Sequence, residues 1–414
     1  MNESLQELGV TPSLPDDCKT GVPDRPVAPQ LTASLLFLLS GLAALGALST
    51  NIILPAFPDM GSALGVSTRH LSVTLSSFFV AFAFGQLLVG PLSDHVGRKW
   101  LVLGGLGVFL VGSLLSAMAT DLSLLVVGRI VQALGVCAAA VLSRAIARDL
   151  FDGDPLARAL SLIMVAMAAA PGFSPLLGSG LNSLVGWRGM FVLVGLLSLV
   201  FAVFYAVSLG ETHPPGRRSA VSASSIFRGY VLLLRDRRFI VPAASVSLIL
   251  SGLYAFFAAT PAILMDGFGF SALGLGLFFA ATVFVVFGAG LMAPRFAHRW
   301  GAKAVALAGI VIAVAGSVLL LVGAPQPVFF SVSLAIFLFG MGLVNPLGTA
   351  ITLQPFGAQA GSASALLGFL QMGCAAITIS LIGILDLAAY GALAVILSVC
   401  TVLALVAFAV GMRP

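Results

Sequence analysis

The sequence is a succession of apolar runs, each about 20 residues long, cut by short polar stretches that carry most of the charge. A run of roughly 17–25 apolar residues crosses the hydrocarbon core of a bilayer as one helix. Lipid offers no hydrogen-bond partners, so a spanning chain must satisfy its backbone as helices or as a closed barrel. Barrel strands need only about 9–11 residues and alternate inward polar with outward apolar positions. These runs are longer and evenly apolar, which excludes the barrel. With 8% charged residues, against about 25% in ordinary soluble domains, a water-soluble fold is excluded as well. The chain is read as an all-α polytopic membrane protein.

Polar punctuation divides it into twelve spans, near 32–56, 71–90, 100–119, 122–144, 160–182, 188–209, 238–262, 272–293, 303–323, 328–351, 361–382 and 387–411. An even number puts both termini on one side. Of the 20 Lys and Arg residues, 17 lie in the tails or in loops on that same side. Only Arg69 and Arg188 lie opposite, and Arg129 is inside a span. The positive-inside bias makes the termini cytoplasmic.

The longest interior polar stretch, Gly210–Arg238, gives the division of the chain: a tail (1–31), a six-helix bundle (32–209), a linker (210–237) and a second six-helix bundle (238–414). The tail is polar and proline-rich, and is expected to be disordered. In the linker, Ile226–Leu234 is apolar with flanking arginines, as in an amphipathic helix at the membrane surface facing anionic lipid.

The halves echo each other. Leu54-Pro55-Ala56 ends span one and Thr260-Pro261-Ala262 ends span seven. Phe78-Phe79 in span two is matched by Phe278-Phe279 in span eight. The polar island Gly90–Lys99 is followed in the second half by His298–Lys303, which keeps the glycine and lysine and has no aspartate. Duplicated bundles with a site between them suit an alternating-access carrier.

The island is read as a tight surface turn in which Gly90 and Pro91 break the incoming helix. Its residues Gly90, Asp94, Gly97, Arg98 and Lys99 form either a solvated hairpin loop or a latch between moving helices. Asp94 is expected to cap a helix end across the seam between the halves. Arg129 lies within span four, where an arginine is costly and by default functional; an anchor to neighbouring carbonyls is the other reading. Gln132, three residues on, shares its face. Asn51 precedes Pro55, a proline that frees a backbone carbonyl in a segment suited to line a cavity. Asp59 is about 12 Å further along a helix, near the outer rim. Pro171, Pro175 and Gly178 in span five, with Pro55 and Pro261, are candidate kinks or gating points. Tyr254 and Gln371 are the polar side chains in the second half marked for substrate contact. The four cysteines have no metal-ligand spacing, and neither a cofactor site nor a nucleic-acid module is expected.

Gly90–Lys99 resembles the loop 2–3 signature of the major facilitator superfamily. Gly128-Arg129 through Gly135 resembles the fourth-helix signature of its proton-antiporter members, and Pro171–Gly180 with Gly186-Trp187-Arg188 a variant of their fifth-helix motif. Leu54–Pro58 and Gly361–Ala365 with Gln371 are similar to the bicyclomycin/chloramphenicol-resistance (Bcr/CflA) efflux subfamily. The resemblance implies two pseudo-symmetric six-helix bundles in the bacterial inner membrane, working as a monomer. It implies export of amphiphilic drugs or metabolites against proton influx, with Asp94 and Arg98 stabilising closure of the cytoplasmic side and Arg129 coupling protonation to substrate. Members of the subfamily usually carry an aspartate where this chain has Asn51, so coupling must use another acid, such as Asp59, or be altered or absent. Uptake or exchange of a small metabolite without proton coupling is the alternative. A receptor or assembly factor leaves Arg129 and the duplicated turns idle, a channel lacks a filter, and an enzyme lacks a nucleophile–base pair.

Overall fold

Helices run the whole length of the structure, a computed structural model describing residues 31–214 and 223–411. The expected tail and the proline-rich centre of the linker lie outside the described residues. The first bundle contains α1 (Ala33–Asn51), α2 (Phe57–Leu64), α3 (Ser72–Val96), α4 (Arg98–Ala117), α5 (Leu122–Leu150) and α6 (Gly153–Ser208). The linker helix is α7 (Ala223–Arg235). The second bundle contains α8 (Arg237–Pro261), α9 (Ala272–Trp300), α10 (Ala302–Val322), α11 (Pro327–Leu353), α12 (Ala360–Ile384) and α13 (Ala389–Gly411). Among the described residues, eleven helical runs are long and apolar enough to cross a membrane. One of them, α6, has 56 residues, and its backbone leaves helical geometry at Gly186 (φ 67°). At 1.5 Å per residue it is far longer than a bilayer is thick, so it crosses twice and the total is twelve.

Local chemistry sets the helix ends. Thr32 Oγ1 accepts from the Leu35 amide, Asp121 Oδ1 from Leu124 and Asp236 Oδ1 from Arg238, each satisfying an otherwise orphaned N–H. Within the bundles, glycines let backbones meet. A Cβ on Gly112 would lie 2.3 Å from the Gln132 amide nitrogen, joining α4 to α5. In the second half, a Cβ on Gly316 would lie 2.5 Å from the Phe337 nitrogen, joining α10 to α11. The internal echo is equally plain at the turns. Gly97 (φ 105°) links α3 to α4, and Gly301 (φ 84°) links α9 to α10, both in backbone territory that side chains avoid. Pro55 falls in a 3₁₀ turn and Pro261 opens a π turn.

Several expectations are corrected. The island is not a ten-residue turn: α3 continues through Gly90 and Pro91 to Val96, and only Gly97 leaves the helix. Pro91 has no N–H for the Leu87 carbonyl, yet that carbonyl accepts a 3.0 Å bond from the Tyr230 hydroxyl on α7. With its freed acceptor satisfied, the helix tolerates the proline. Helix α7 is accordingly docked on protein through buried Tyr230 and Leu233, while Phe227 faces outward. Burial there pushes the Tyr230 phenol above its ordinary pKa, which keeps it a donor near neutral pH. Helical structure after span one also extends beyond residue 56, to Leu64 in α2. Pro171 and Pro175 lie within continuous helix, and the break comes at Gly186.

Two seams join the bundles: α3 against α12, and α6 against α9. One face of the molecule carries Arg98, Lys99, Arg144, Arg148, Arg238, Arg299 and Lys303; we call it the basic face.

Candidate functional site: a vestibule between the bundles

On the face opposite the basic one, the seams are closed. Arg69 in the α2–α3 turn donates from Nε to the Ile382 carbonyl and from an Nη to the Leu387 carbonyl, both at 2.8 Å. Ile382 lies in the last turn of α12, at the negative end of its dipole, and Leu387 in the turn that follows. A Cβ on Gly276 of α9 would come within 2.8 Å of the Leu176 Cα on α6. Deeper, Phe79 of α3 packs on Tyr254 of α8 with ring centroids 4.6 Å apart. Gln86 reaches across to α12 at Gly368, where there is no room for a side chain.

Toward the basic face, the α3–α12 seam opens into a vestibule of about 330 Å³. Its wall includes Gln86, Asp94, Arg144, Arg148 and Ser364. A smaller cavity of about 270 Å³ continues it past Asp94 to Tyr230 and Ser362. Gly90 and Gly361 flank the opening, with nothing within 4 Å of a Cβ on either. The molecule is therefore open at the basic face and shut at the other.

Arg98 organises the vestibule rim. Its side chain is only 10% exposed, so it needs close counter-charges. It donates to Asp94 Oδ1 at 2.8 Å, to Asp149 Oδ2 at 3.1 Å, and to Ser93 Oγ. Helix α4 has no cap of its own. Glu211, just past α6, supplies one, accepting from the Arg98 amide at 2.8 Å and the Lys99 amide at 3.3 Å, where the helix dipole favours an anion. Thr212 donates to Asp149 at 3.2 Å. The cluster thus ties α3, α4, α5 and α6 inside one bundle. The expected cap by Asp94 across the seam is not made: its carboxylate bonds to Arg98 in its own bundle. Sequence reasoning missed Asp149, in the last turn of α5, and Glu211, just past α6; both are acids in stretches otherwise rich in arginine, which was the available signal. It also missed Gln86, a polar residue deep in an apolar run.

Arg129 is fully buried, away from the vestibule. It donates to the Ser49 carbonyl of α1 at 3.3 Å and to Gln132 Oε1. Gln132 in turn donates to Ser113 Oγ of α4 at 2.8 Å. Phe78 lies against the guanidinium, 4.5 Å from ring centroid to Cζ. Arg129 Nε and one Nη have no partner, and no carboxylate among the described residues reaches it. Asn51 is buried nearby on α1 and spends its amide on the Ala47 carbonyl at 2.8 Å. Asp59 is exposed at the opposite rim, accepting from Asn182 at 2.6 Å. Gln371 is half-buried on α12, outside the vestibule wall. Gly178 packs on the Ile52 backbone at the end of α1. No cluster of metal-ligating side chains occurs among the described residues.

The clasp leads to a prediction. Arg69→Met deletes two charge-assisted bonds, each worth about 1.5–3 kcal/mol. A cysteine replacing Ser72, beside Gly383 in the same seam, should react about tenfold faster with an impermeant maleimide. An unchanged labelling rate would show that the aromatic and glycine contacts close this face without Arg69.

Residues 39–379 match the Major Facilitator Superfamily. The chain is 30% identical to an uncharacterized MFS-type transporter, YdgK, of Bacillus subtilis, over 85% of this chain and 89% of that one. It is also 30% identical to a chloramphenicol resistance protein of Pseudomonas aeruginosa, covering 80% of this chain and 77% of the relative. Among solved structures, the nucleoside transporter NupG superposes with a TM-score of 0.71 at 16% identity, covering 92% of this chain and all of that one; this likeness concerns the fold. With the paired bundles, the matched glycine turns and the Arg98 cluster in place, the chain belongs to the Major Facilitator Superfamily of membrane transporters.

Proposed function

We propose that the protein is a secondary transporter that exports small amphiphilic molecules, drugs or metabolites, across the bacterial inner membrane by alternating access. The observation that carries this reading is the vestibule: it opens at the basic face, ends at the Gln86–Gly368 constriction, and is clasped beyond by Arg69. The positive-inside bias supports placing the basic face, and with it both termini, in the cytoplasm. The drug-resistance relative supports efflux, and the motif set supports placement with the Bcr/CflA exporters, as a monomer surrounded by lipid. Gly90, Asp94, Gly97, Arg98 and Lys99 are the candidate conformational latch; Asn51, Arg129, Gln132, Tyr254, Gln371 and Asp59 are the candidates for substrate or coupling.

Proton antiport is the energy source that the resemblance implies, but a coupling site needs a group that titrates within the path. The buried Asn51 and the rim position of Asp59 favour the second reading, transport without proton coupling at the first helix. Liposomes containing the purified protein should exchange radiolabelled chloramphenicol for internal unlabelled chloramphenicol. Antiport predicts that an opposing pH gradient drives net accumulation. Exchange indifferent to that gradient would remove antiport and leave the carrier; no exchange of any amphiphile would remove the carrier.

A further inference from the structure

The vestibule wall carries three arginines, Arg98, Arg144 and Arg148, against one aspartate, Asp94. Arg144 and Arg148, one turn apart on α5, both line its wall. Arg144 is half-buried, and neither a hydrogen bond nor an ion pair engages its guanidinium among the described residues. The acids of the Arg98 cluster have other partners. Asp94 and Asp149 both bond to Arg98, and Glu211 caps α4. The other described acids sit at helix ends or in turns, such as Asp121 and Asp236 as caps and Asp59 at the rim. Outside the vestibule, the fully buried charge among the described residues is also a cation, Arg129. A low-dielectric cleft whose lining carries an excess of one sign concentrates the opposite sign and disfavours its own. Here that field accepts anions.

We propose that this exporter's cargo is an organic anion, a carboxylate- or phosphate-bearing amphiphile, whose charged group is held at the vestibule by Arg144 and Arg148. The inference rests on the exporter reading with the basic face in the cytoplasm. It also accounts for the interior without a titratable acid. A cell interior is electrically negative, so an anion is driven outward by the membrane potential alone. At about 100 mV a singly charged anion is favoured outside by about 40-fold, and no proton needs to move. The apolar part of the cargo meets the Phe79–Tyr254 layer beyond Gln86.

The test uses the full-length protein in liposomes with carboxyfluorescein or ethidium trapped inside, equal pH on both sides, and a potassium–valinomycin potential. An inside-negative potential should speed carboxyfluorescein efflux, with ethidium lagging by about tenfold or more, the worth of one charged contact. Arg144→Gln should erase most of that preference and Arg144→Lys restore it, with thermal unfolding reporting that each variant is folded. If Arg144→Gln does not fold, Arg148→Gln serves as the second variant. Ethidium leaving as fast as carboxyfluorescein would overturn the proposal and leave the exporter standing. Failure of chloramphenicol exchange as well as both dyes would sink the exporter reading itself. Phosphatidylcholine vesicles with and without phosphatidylglycerol separate the two sources of anion. A preference that persists without the anionic lipid supports cargo binding, whereas one that appears only with it assigns the arginines to a lipid headgroup and overturns the proposal.

Discussion

Arg129→Met is expected to leave the protein folded and to cut transport by about 100-fold. The two halves of this expectation come from different physics. A fully buried guanidinium with two unpartnered nitrogens and no carboxylate in reach is a poor stabiliser, because its desolvation is only partly repaid. Methionine has similar length, fills the space beside Phe78 and Phe191, and carries no such penalty. Thermal unfolding should be unchanged or slightly higher. Transport is another matter, since Arg129 is the bridge by which α5 holds the end of α1 at Ser49 and, through Gln132, α4 at Ser113. Severing a buried charged contact of this kind is worth about 3 kcal/mol in the step that depends on it, which is the 100-fold loss. A variant that both folds and transports would reduce Arg129 to an incidental anchor. One that fails to fold would show that the anchoring bonds outweigh desolvation.

The same residue shows how far the sequence could be read. A lone arginine in an apolar run announces itself, because hydrocarbon permits so few charges, and Gln132 follows by helical spacing. The crossings were legible for a similar reason: bilayer thickness fixes span length more tightly than any soluble core does. The Gly97 and Gly301 turns were legible as a repeated pattern. Tertiary partners were not. Arg98 pairs with Asp149, 51 residues away, and its amide with Glu211, 113 residues away; no local period links them. Pro91 was misread as a helix breaker because its effect depends on Tyr230, which lies far along the chain in the linker and satisfies the carbonyl that the proline frees. Asp59 was placed near the rim by helical rise, and it lies exposed there, but its partner Asn182, 123 residues away, was not legible.

Two glycines at helix contacts should respond oppositely to the same substitution. Gly178 lies inside the first bundle, where its Cβ would sit 1.9 Å from the Ile52 carbonyl oxygen. That oxygen belongs to backbone at the end of α1, and α1 is held in turn by Arg129 and by Phe201 against Gly41. Nothing there moves as a unit, so Gly178→Val overpacks the bundle by upward of about 3 kcal/mol and folded protein should be lost. Gly276 lies at the seam, with its Cβ 2.8 Å from the Leu176 Cα. Gly276→Val is also crowded, though less so, and the bundles on either side are separate packed bodies that can rotate apart. The strain is relieved by opening the face that Arg69 clasps and closing the vestibule. This variant should be folded and trapped. A cysteine replacing Ser364, on the vestibule wall, should then label about tenfold more slowly from the basic face, for a shift of about 1.4 kcal/mol between the two states. Unchanged labelling in Gly276→Val would mean that the α6–α9 contact does not gate the vestibule, and soluble, active Gly178→Val would mean that α1 yields where the packing says it cannot.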